Sequence, residues 1–157
     1  MNGTINTLIV EDEPLIIGLY KNIFQELSDS NSSFKLHITL NCDSALDKIE
    51  KANTGTPFDL ELLENNKTQT KQKNISSGED LGVELRKCFP QIKIIICTTT
   101  NSNYRLNNIL HTVNPDGFLI KSETDYKILA TAINRVLTNQ PYYSPSIFNL
   151  MRQHICN

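Results

Sequence analysis

The stretch that decides the fold is Thr7-Leu8-Ile9-Val10-Glu11-Asp12-Glu13-Pro14. Its first four residues form a short apolar run that is typical of a buried strand, and Pro14 suits the first turn of a following helix. Three consecutive carboxylates stand between them, and these repel each other and are costly to bury unless a cation lies among them. In open α/β sheets, ligands bind at the carboxyl ends of the strands. The stretch therefore predicts a strand ending in a cation site, with an acidic first helical turn, favoured by the helix dipole, as the alternative.

Outside this stretch, strand-like and helix-like segments alternate along the chain. The expected strands are residues 7–10, 34–40, 58–63, 92–97 and 117–120. Helical spacing of apolar residues, with caps and breakers, predicts helices at residues 14–27, from 43 or 44 to about 49, 78–89, 106–113, 126–137 and from 145 onwards. Five strands separated by helices require crossover connections, so we expect one doubly wound α/β domain with a parallel sheet and helices on both faces.

The composition excludes several classes of protein. The chain of 157 residues has 15 basic and 17 acidic residues and a net charge of -2, which makes it a poor candidate for binding nucleic acid by itself. No apolar run approaches the roughly 18 residues of a membrane span, and the first residues do not resemble a secretory signal. The four cysteines form no CxxC pair, which favours reduced thiols. We expect a cytoplasmic protein with no membrane association.

Polar residues follow the strands at the carboxyl edge of the expected sheet. Glu11 and Asp12 end the first strand, Glu64 the third, Thr98 the fourth and Lys121 the fifth. Carboxylate oxygens suit Mg²⁺, which completes its shell with water and phosphate oxygens. An ammonium and a hydroxyl opposite the metal would neutralise and hydrogen-bond a phosphoryl group. The set therefore predicts a magnesium-dependent phosphoryl site.

These residues resemble those of a known family, the receiver domain of bacterial two-component response regulators. The resemblance runs from Leu8 to about Pro145 and is carried by Leu-Ile-Val-Glu-Asp-Glu-Pro, by residues 58–64, by Gly-Glu-Asp-Leu at 78–81 and by Gly-Phe-Leu-Ile-Lys at 117–121. It implies a flavodoxin-like sheet of five strands in the order 2-1-3-4-5.

The resemblance also implies a role for each site residue. Mg²⁺ would be bound by Glu11, Asp12, Glu64 and the backbone carbonyl of Asn66. Glu64 would occupy the phosphoacceptor position, with Lys121 beside it. Thr98, or Thr99 if the spacing differs by one residue, would be the switch hydroxyl. Phe118 would be the switch aromatic.

Residues 121–145 are similar to regulators of the NarL/LuxR type, which carry a helix-turn-helix output domain after a linker. The expected division is a receiver domain at 1–140 and a linker helix at 141–157, leading to an output domain that this chain does not contain. The implied partners are a sensor histidine kinase, a second copy in a homodimer, and DNA through that output domain alone.

Glu64 departs from the family, which has aspartate at this position. The glutamate is one methylene longer, and a misplacement of about 1 Å can cost on the order of a hundredfold in rate. Three interpretations stay open: Glu64 accepts phosphate poorly, it mimics the phosphorylated aspartate by directing its charge towards Thr98 and Lys121, or it is only a metal ligand. Glu61 is a second departure, since this strand position is usually apolar.

The expected function is therefore a signalling switch and not an enzyme, beyond self-phosphorylation from a phosphodonor and autodephosphorylation. One alternative is a degenerate receiver that acts as a protein-interaction module without phosphorylation. A second alternative is a magnesium-dependent phosphotransfer enzyme or nuclease of the Toprim kind, using Glu11 with Asp59 and Glu61. It is disfavoured because Asp59 and Glu61 lie towards the start of the third strand.

Overall fold

The computed structural model describes residues 3–64 and 78–156. Six strands are present in this part of the chain: β1 (Gly3–Val10), β2 (Ser32–Thr39), β3 (Leu60–Glu64), β4 (Lys93–Thr98), β5 (Gly117–Ile120) and β6 (Tyr142–Tyr143). Six α-helices connect or follow them: α1 (Pro14–Leu27), α2 (Cys42–Ala52), α3 (Gly78–Cys88), α4 (Asn103–Thr112), α5 (Tyr126–Leu137) and α6 (Pro145–Cys156). A short 3-10 turn, Lys121–Glu123, follows β5. The alternation expected from the sequence is confirmed.

The sheet is parallel throughout, in the order β2-β1-β3-β4-β5-β6. The expectation of five strands is therefore wrong, because Tyr142 and Tyr143 add a sixth strand beside β5. This strand is held by its neighbour: the amide of Tyr142 donates to the carbonyl of Asp116, and that of Ser144 to the carbonyl of Phe118, both at 3.0 Å. Two residues are too short to show a period-2 pattern, so nothing in the local sequence indicated a strand.

Two apolar cores lie on the two faces of the sheet, as expected for a doubly wound fold. The first core contains residues of α2, α3, α4 and α6 packed on one face, among them Ala45, Leu81, Ile109 and Ile147. The second contains residues of α1 and α5 packed on the other, among them Ile23, Phe24 and Ile133. Each helix turns one apolar stripe to the sheet, as the sequence spacing predicts.

The segment after α5 is joined to the sheet. The hydroxyl of Ser144, which is buried, accepts a hydrogen bond from the amide of Ile120 at 2.8 Å. The amide of Ser146 donates to Oε1 of Glu123 at 3.1 Å, and α6 then packs with Ile147 in the first core. Whether residues 141–157 act as a linker helix stays a prediction.

The strand register places the polar strand ends at one edge of the sheet. Val10 lies opposite Leu63, so Glu11 and Glu64 follow at the same level on adjacent strands. Glu64 in turn lies opposite Cys97 of β4. Thr98 lies opposite Ile120, immediately before Lys121. None of the helices in the described ranges, 3–64 and 78–156, is long and apolar enough to cross a bilayer.

Candidate functional site

Glu11 is fully buried at the end of β1, where backbone amides hold its carboxylate. Its Oε1 accepts hydrogen bonds from the amide of Asp12 at 3.2 Å and from that of Glu13 at 3.1 Å. Asp12 and Glu13 are exposed, and Glu13 is the N-cap residue of α1, whose first turn contains no acidic residue. The three carboxylates therefore belong to the loop between strand and helix, and the alternative of an acidic first helical turn is wrong.

The same three residues form a cluster of oxygen ligands. One carboxylate oxygen from each of Glu11, Asp12 and Glu13 lies within 4.8 Å of the others. An all-oxygen set in which two of the three side chains face water fits a hard divalent cation that keeps part of its hydration shell, as Mg²⁺ does. Glu13 was not among the expected metal ligands, although it belongs to the same run of three carboxylates. Glu64 is not one of the three, and Asn66 lies outside the described residues, so their roles as metal ligands stay predictions.

Glu64 and Lys121 meet across the edge of the sheet. Nζ of Lys121 lies 3.5 Å from Oε2 of Glu64, whose side chain is only 3% exposed while that of Lys121 is 38% exposed. Partial burial lowers the pKa of Lys121, but the Glu64 and Glu13 carboxylates outweigh this effect, and the net shift of its pKa is upward. The lysine is therefore a firmly charged partner of a buried carboxylate.

Glu64 also borders a small cavity of about 130 Å³ between α1 and α5. Tyr20, Cys97 and Lys121 are among the residues that line it. Burial, and next the Glu64 carboxylate, raises the pKa of the Cys97 thiol to about 12, so the thiol is neutral. Burial likewise raises the pKa of Tyr20, which keeps its phenol protonated. Sequence reasoning missed both residues; the alternation of β4, which puts Cys97 on the face opposite Thr98, was the available signal.

The two expected switch residues are both buried. Thr98 is fully buried, and its hydroxyl oxygen accepts a hydrogen bond from the amide of Thr100 at 3.2 Å. In the part of the chain that the structure describes, the Thr98 hydroxyl has no hydrogen bond to Glu64. Thr99, the alternative switch hydroxyl, is exposed. Phe118 is fully buried in the first core.

The residues of the Toprim alternative do not join the carboxylate cluster. Oδ2 of Asp59 accepts the amide of Asn6 at 2.9 Å, near the start of β1, five residues before Glu11. Glu61 lies opposite Leu8, on the interior of the sheet. The geometry therefore gives no support to a site built from Glu11, Asp59 and Glu61.

Glu61 is a buried acid of a different kind. Both of its carboxylate oxygens are buried with no hydrogen-bond partner among the described residues. Burial raises its pKa to about 8, although the Arg86 guanidinium acts in the opposite direction. Its position on β3 places it on the same face as Leu63 and the first core, where it is a protonated, neutral acid at pH 7.

Solved structures show which fold this is. A response regulator receiver domain protein (CheY-like) from Methanospirillum hungatei JF-1 matches with a TM-score of 0.66 and 22% identity, covering 88% of this chain and 97% of that one. The chain has the fold of a receiver domain.

Further receiver-type structures are similar. A LuxR family DNA-binding response regulator from Silicibacter pomeroyi matches with a TM-score of 0.64 and 23% identity, covering 90% of this chain and 97% of that chain. RcsB, solved as two dimers bound to two parallel DNAs, matches with a TM-score of 0.72 and 14% identity. The match covers 96% of this chain and 69% of that chain. No protein-family model and no curated protein sequence matches the chain. At these identities the likeness shows the fold, and the function must be argued from the site.

Proposed function

We propose that the chain is a signalling receiver of a two-component system in which Glu64 substitutes for the phosphorylated aspartate. One observation carries the proposal: the buried Glu64 carboxylate lies 3.5 Å from the Lys121 ammonium. In the receiver family that the sequence resembles, this lysine faces the phosphoacceptor. A glutamate brings a fixed negative charge further out from the backbone than aspartate would.

The carboxylate cluster supplies the metal site in this proposal. Glu11, Asp12 and Glu13 would hold Mg²⁺, with the backbone carbonyl of Asn66 as a further ligand. The metal would supply positive charge that compensates the acidic residues at the edge of the sheet. The amides of Asp12 and Glu13 donate hydrogen bonds to Oε1 of Glu11 and so orient its carboxylate for metal binding.

The output of the switch would pass through β4 and β5. Thr98 and Phe118 lie in these strands, next to α4 and the first core. A packed core of this kind adopts discrete arrangements, so a change of charge at Glu64 biases one of them. The partners we propose are a second copy in a dimer and DNA through a separate output domain, as in the DNA-binding regulators with this fold.

A second candidate is the degenerate receiver, an interaction module that no longer switches. The hydrogen bond of Thr98 favours it, since its hydroxyl oxygen accepts the amide of Thr100 and the side chain does not engage Glu64. In that case the Glu64–Lys121 pair would be structural only.

Amide hydrogen exchange of Glu64→Gln tests the switching role of Glu64. If Glu64 holds an activated arrangement, removing its charge increases exchange in β4, β5 and the start of α4, and not in β2 or α2. Asp47→Asn, an exposed charge removal on α2, is the matched control and should leave these segments unchanged. An exchange pattern of Glu64→Gln that equals that of the control and the unmodified protein would refute the switching role.

A further inference from the structure

A basic groove lies at the opposite edge of the sheet from the carboxylates. It is a cavity of about 560 Å³ between the starts of β1 and β2, the last turns of α2 and the loop before β3. We define the basic groove by Lys35, His37, Lys48 and Lys51, which all line it. Asn6, which also lines it, stands five residues before Glu11, a distance of about 16 Å along β1 and its end.

The charge of the groove has one sign. Among the residues that the structure describes, no aspartate or glutamate lines the groove, and Lys35, Lys48 and Lys51 are exposed and form no ion pair. Asp59, which follows the lining residue Phe58, accepts the amide of Asn6, and the acidic residues of α2 next to the lysines, Asp47 and Glu50, are exposed and do not line the groove. Three ammonium groups therefore converge on one concavity in a chain whose net charge is -2. Like charges gathered without a counter-charge repel, and a bound anion relieves this repulsion.

His37 lies in the groove, and two of the lysines affect the pKa of its imidazole. Burial, followed by the charges of Lys48 and Lys35, lowers the pKa of its imidazole. The ring is half-buried and is fixed by an edge contact with Phe58, whose centroid is 5.2 Å away at an interplanar angle of 81°. Phe58 is fixed in turn by Phe89 at 5.9 Å and 89°. The wall of the groove is thus a packed pair of rings, with the His37 imidazole facing the cavity beside Phe58.

The remaining lining residues add hydrogen-bonding groups. Thr4 and Thr56 contribute hydroxyls and Asn6 contributes an amide. The lysine ammonium groups can bind phosphate as point charges. Its volume falls within the range of about 300–1,000 Å³ that is typical of small-molecule pockets. These features together favour a small ligand with more than one phosphate charge.

We propose that the basic groove binds a phosphorylated small molecule of nucleotide size. The lysines neutralise its phosphates, the threonine and asparagine side chains hydrogen-bond it, and the His37 ring supports its organic part. This site is independent of the proposed receiver function, because it shares no residue with the carboxylate cluster or with the Glu64–Lys121 pair.

Isothermal titration of the full chain with ATP, and separately with inorganic pyrophosphate, tests the proposal. EDTA is present throughout, so that a metal bound at the carboxylates cannot contribute. We expect saturable binding of ATP at one site, weakened at least tenfold in the double variant Lys48→Glu/Lys51→Glu. Lys127→Glu, an exposed charge reversal on α5, should bind as the unmodified protein does. Circular dichroism checks that each variant is folded, which we expect because the substituted lysines are exposed.

The outcomes are decisive in both directions. The site is supported if the double variant loses ATP binding and Lys127→Glu keeps it. If pyrophosphate binds more weakly than ATP, the wall of rings contributes part of the affinity. Absence of saturable binding for both probes overturns the proposal, as does equal weakening in both variants. Tighter binding of a DNA duplex than of ATP, at matched salt, would also overturn it, because the lysines would then serve a macromolecular surface.

Discussion

Nζ of Lys121 lies 3.5 Å from Oε2 of Glu64, and this contact joins the ends of β3 and β5 across the intervening strand β4. The carboxylate is almost completely buried and the ammonium is partly exposed. A buried carboxylate whose cationic partner is removed keeps its desolvation cost and loses the attraction that offset it. The pair therefore contributes both to the stability of the edge and to the charge state of the site.

Lys121→Met should lower the free energy of unfolding by about 1–2 kcal/mol at pH 7, below the range for fully buried pairs because Lys121 is partly exposed. Urea denaturation measures this. Lys127→Met on α5 is the control and should change stability by less than about 0.5 kcal/mol. In the background of Glu64→Gln, the cost of Lys121→Met should largely disappear. An undiminished cost in that background would show that the lysine acts through packing and not through Glu64.

Glu61 should make the protein less stable as the pH rises. Its pKa is raised from the ordinary 4.5 to about 8 in the folded chain, so the folded state binds the proton more tightly than the unfolded state. The contribution of protonated Glu61 to the free energy of unfolding is fully present below pH 4.5. It is lost as the pH rises towards 8, at about 1.4 kcal/mol per pH unit. Glu61→Gln removes this dependence, so its stability relative to the unmodified protein should rise by about 3 kcal/mol between pH 5 and pH 8.

Denaturation curves at several pH values measure the effect of Glu61. Asp47→Asn, which removes an exposed carboxylate, should follow the unmodified protein across the same range. A constant difference between Glu61→Gln and the unmodified protein at all pH values would mean that Glu61 is ionised, with a partner that compensates its charge.

Arg86 links α3 to the amino-terminal ends of β4 and β5. Its guanidinium donates to the carbonyls of Ile92 at 2.6 Å, Asn114 at 2.8 Å and Val113 at 3.2 Å, and to the carboxylate of Asp116 at 2.9 Å. Arg86→Ala removes the guanidinium from all four acceptors, although Oδ2 of Asp116 keeps the amide of Ile94 at 2.9 Å, and should cost about 2–4 kcal/mol. Thermal or urea unfolding measures this cost.

Arg135 on α5 is the control for Arg86. Arg135 lies over the ring of Tyr142 at 5.6 Å and is exposed, so Arg135→Ala should cost about 0.5–1 kcal/mol. Equal costs for the two variants would show that the hydrogen bonds of Arg86 contribute little beyond a surface contact.

The sequence predicted the part of the fold that periodicity encodes. The five longer strands and their crossover helices follow from apolar patterns and breakers, and these positioned Glu11, Glu64, Thr98 and Lys121 at one edge. The sixth strand could not be predicted, since the pairing of Tyr142 and Tyr143 depends on β5 as a template. In the same way, a strand pattern gives the face of a residue but not the reach of its side chain.

One contact of the candidate site could be predicted from the sequence, but several of its neighbouring residues could not. The meeting of Glu64 with Lys121 was anticipated, whereas Glu13 was not selected and Tyr20 and Cys97 were missed. The basic groove was missed altogether, because Lys35 on β2 and Lys48 and Lys51 on α2 are brought together only by tertiary packing. The alternation of Lys35 and His37 on one face of β2 was the only local sign of it.

Labelling with acetyl phosphate tests the central claim most directly. The unmodified protein, Glu64→Asp and Glu64→Gln are incubated with acetyl phosphate and Mg²⁺, with EDTA as the metal-free control, and read by intact mass. We predict that Glu64→Asp alone gains one phosphoryl group, only with Mg²⁺, because the pocket is intact and the native glutamate holds the place of the phosphorylated residue. Labelling of the unmodified protein that Glu64→Gln abolishes would contradict the account, since Glu64 would then be an ordinary phosphoacceptor.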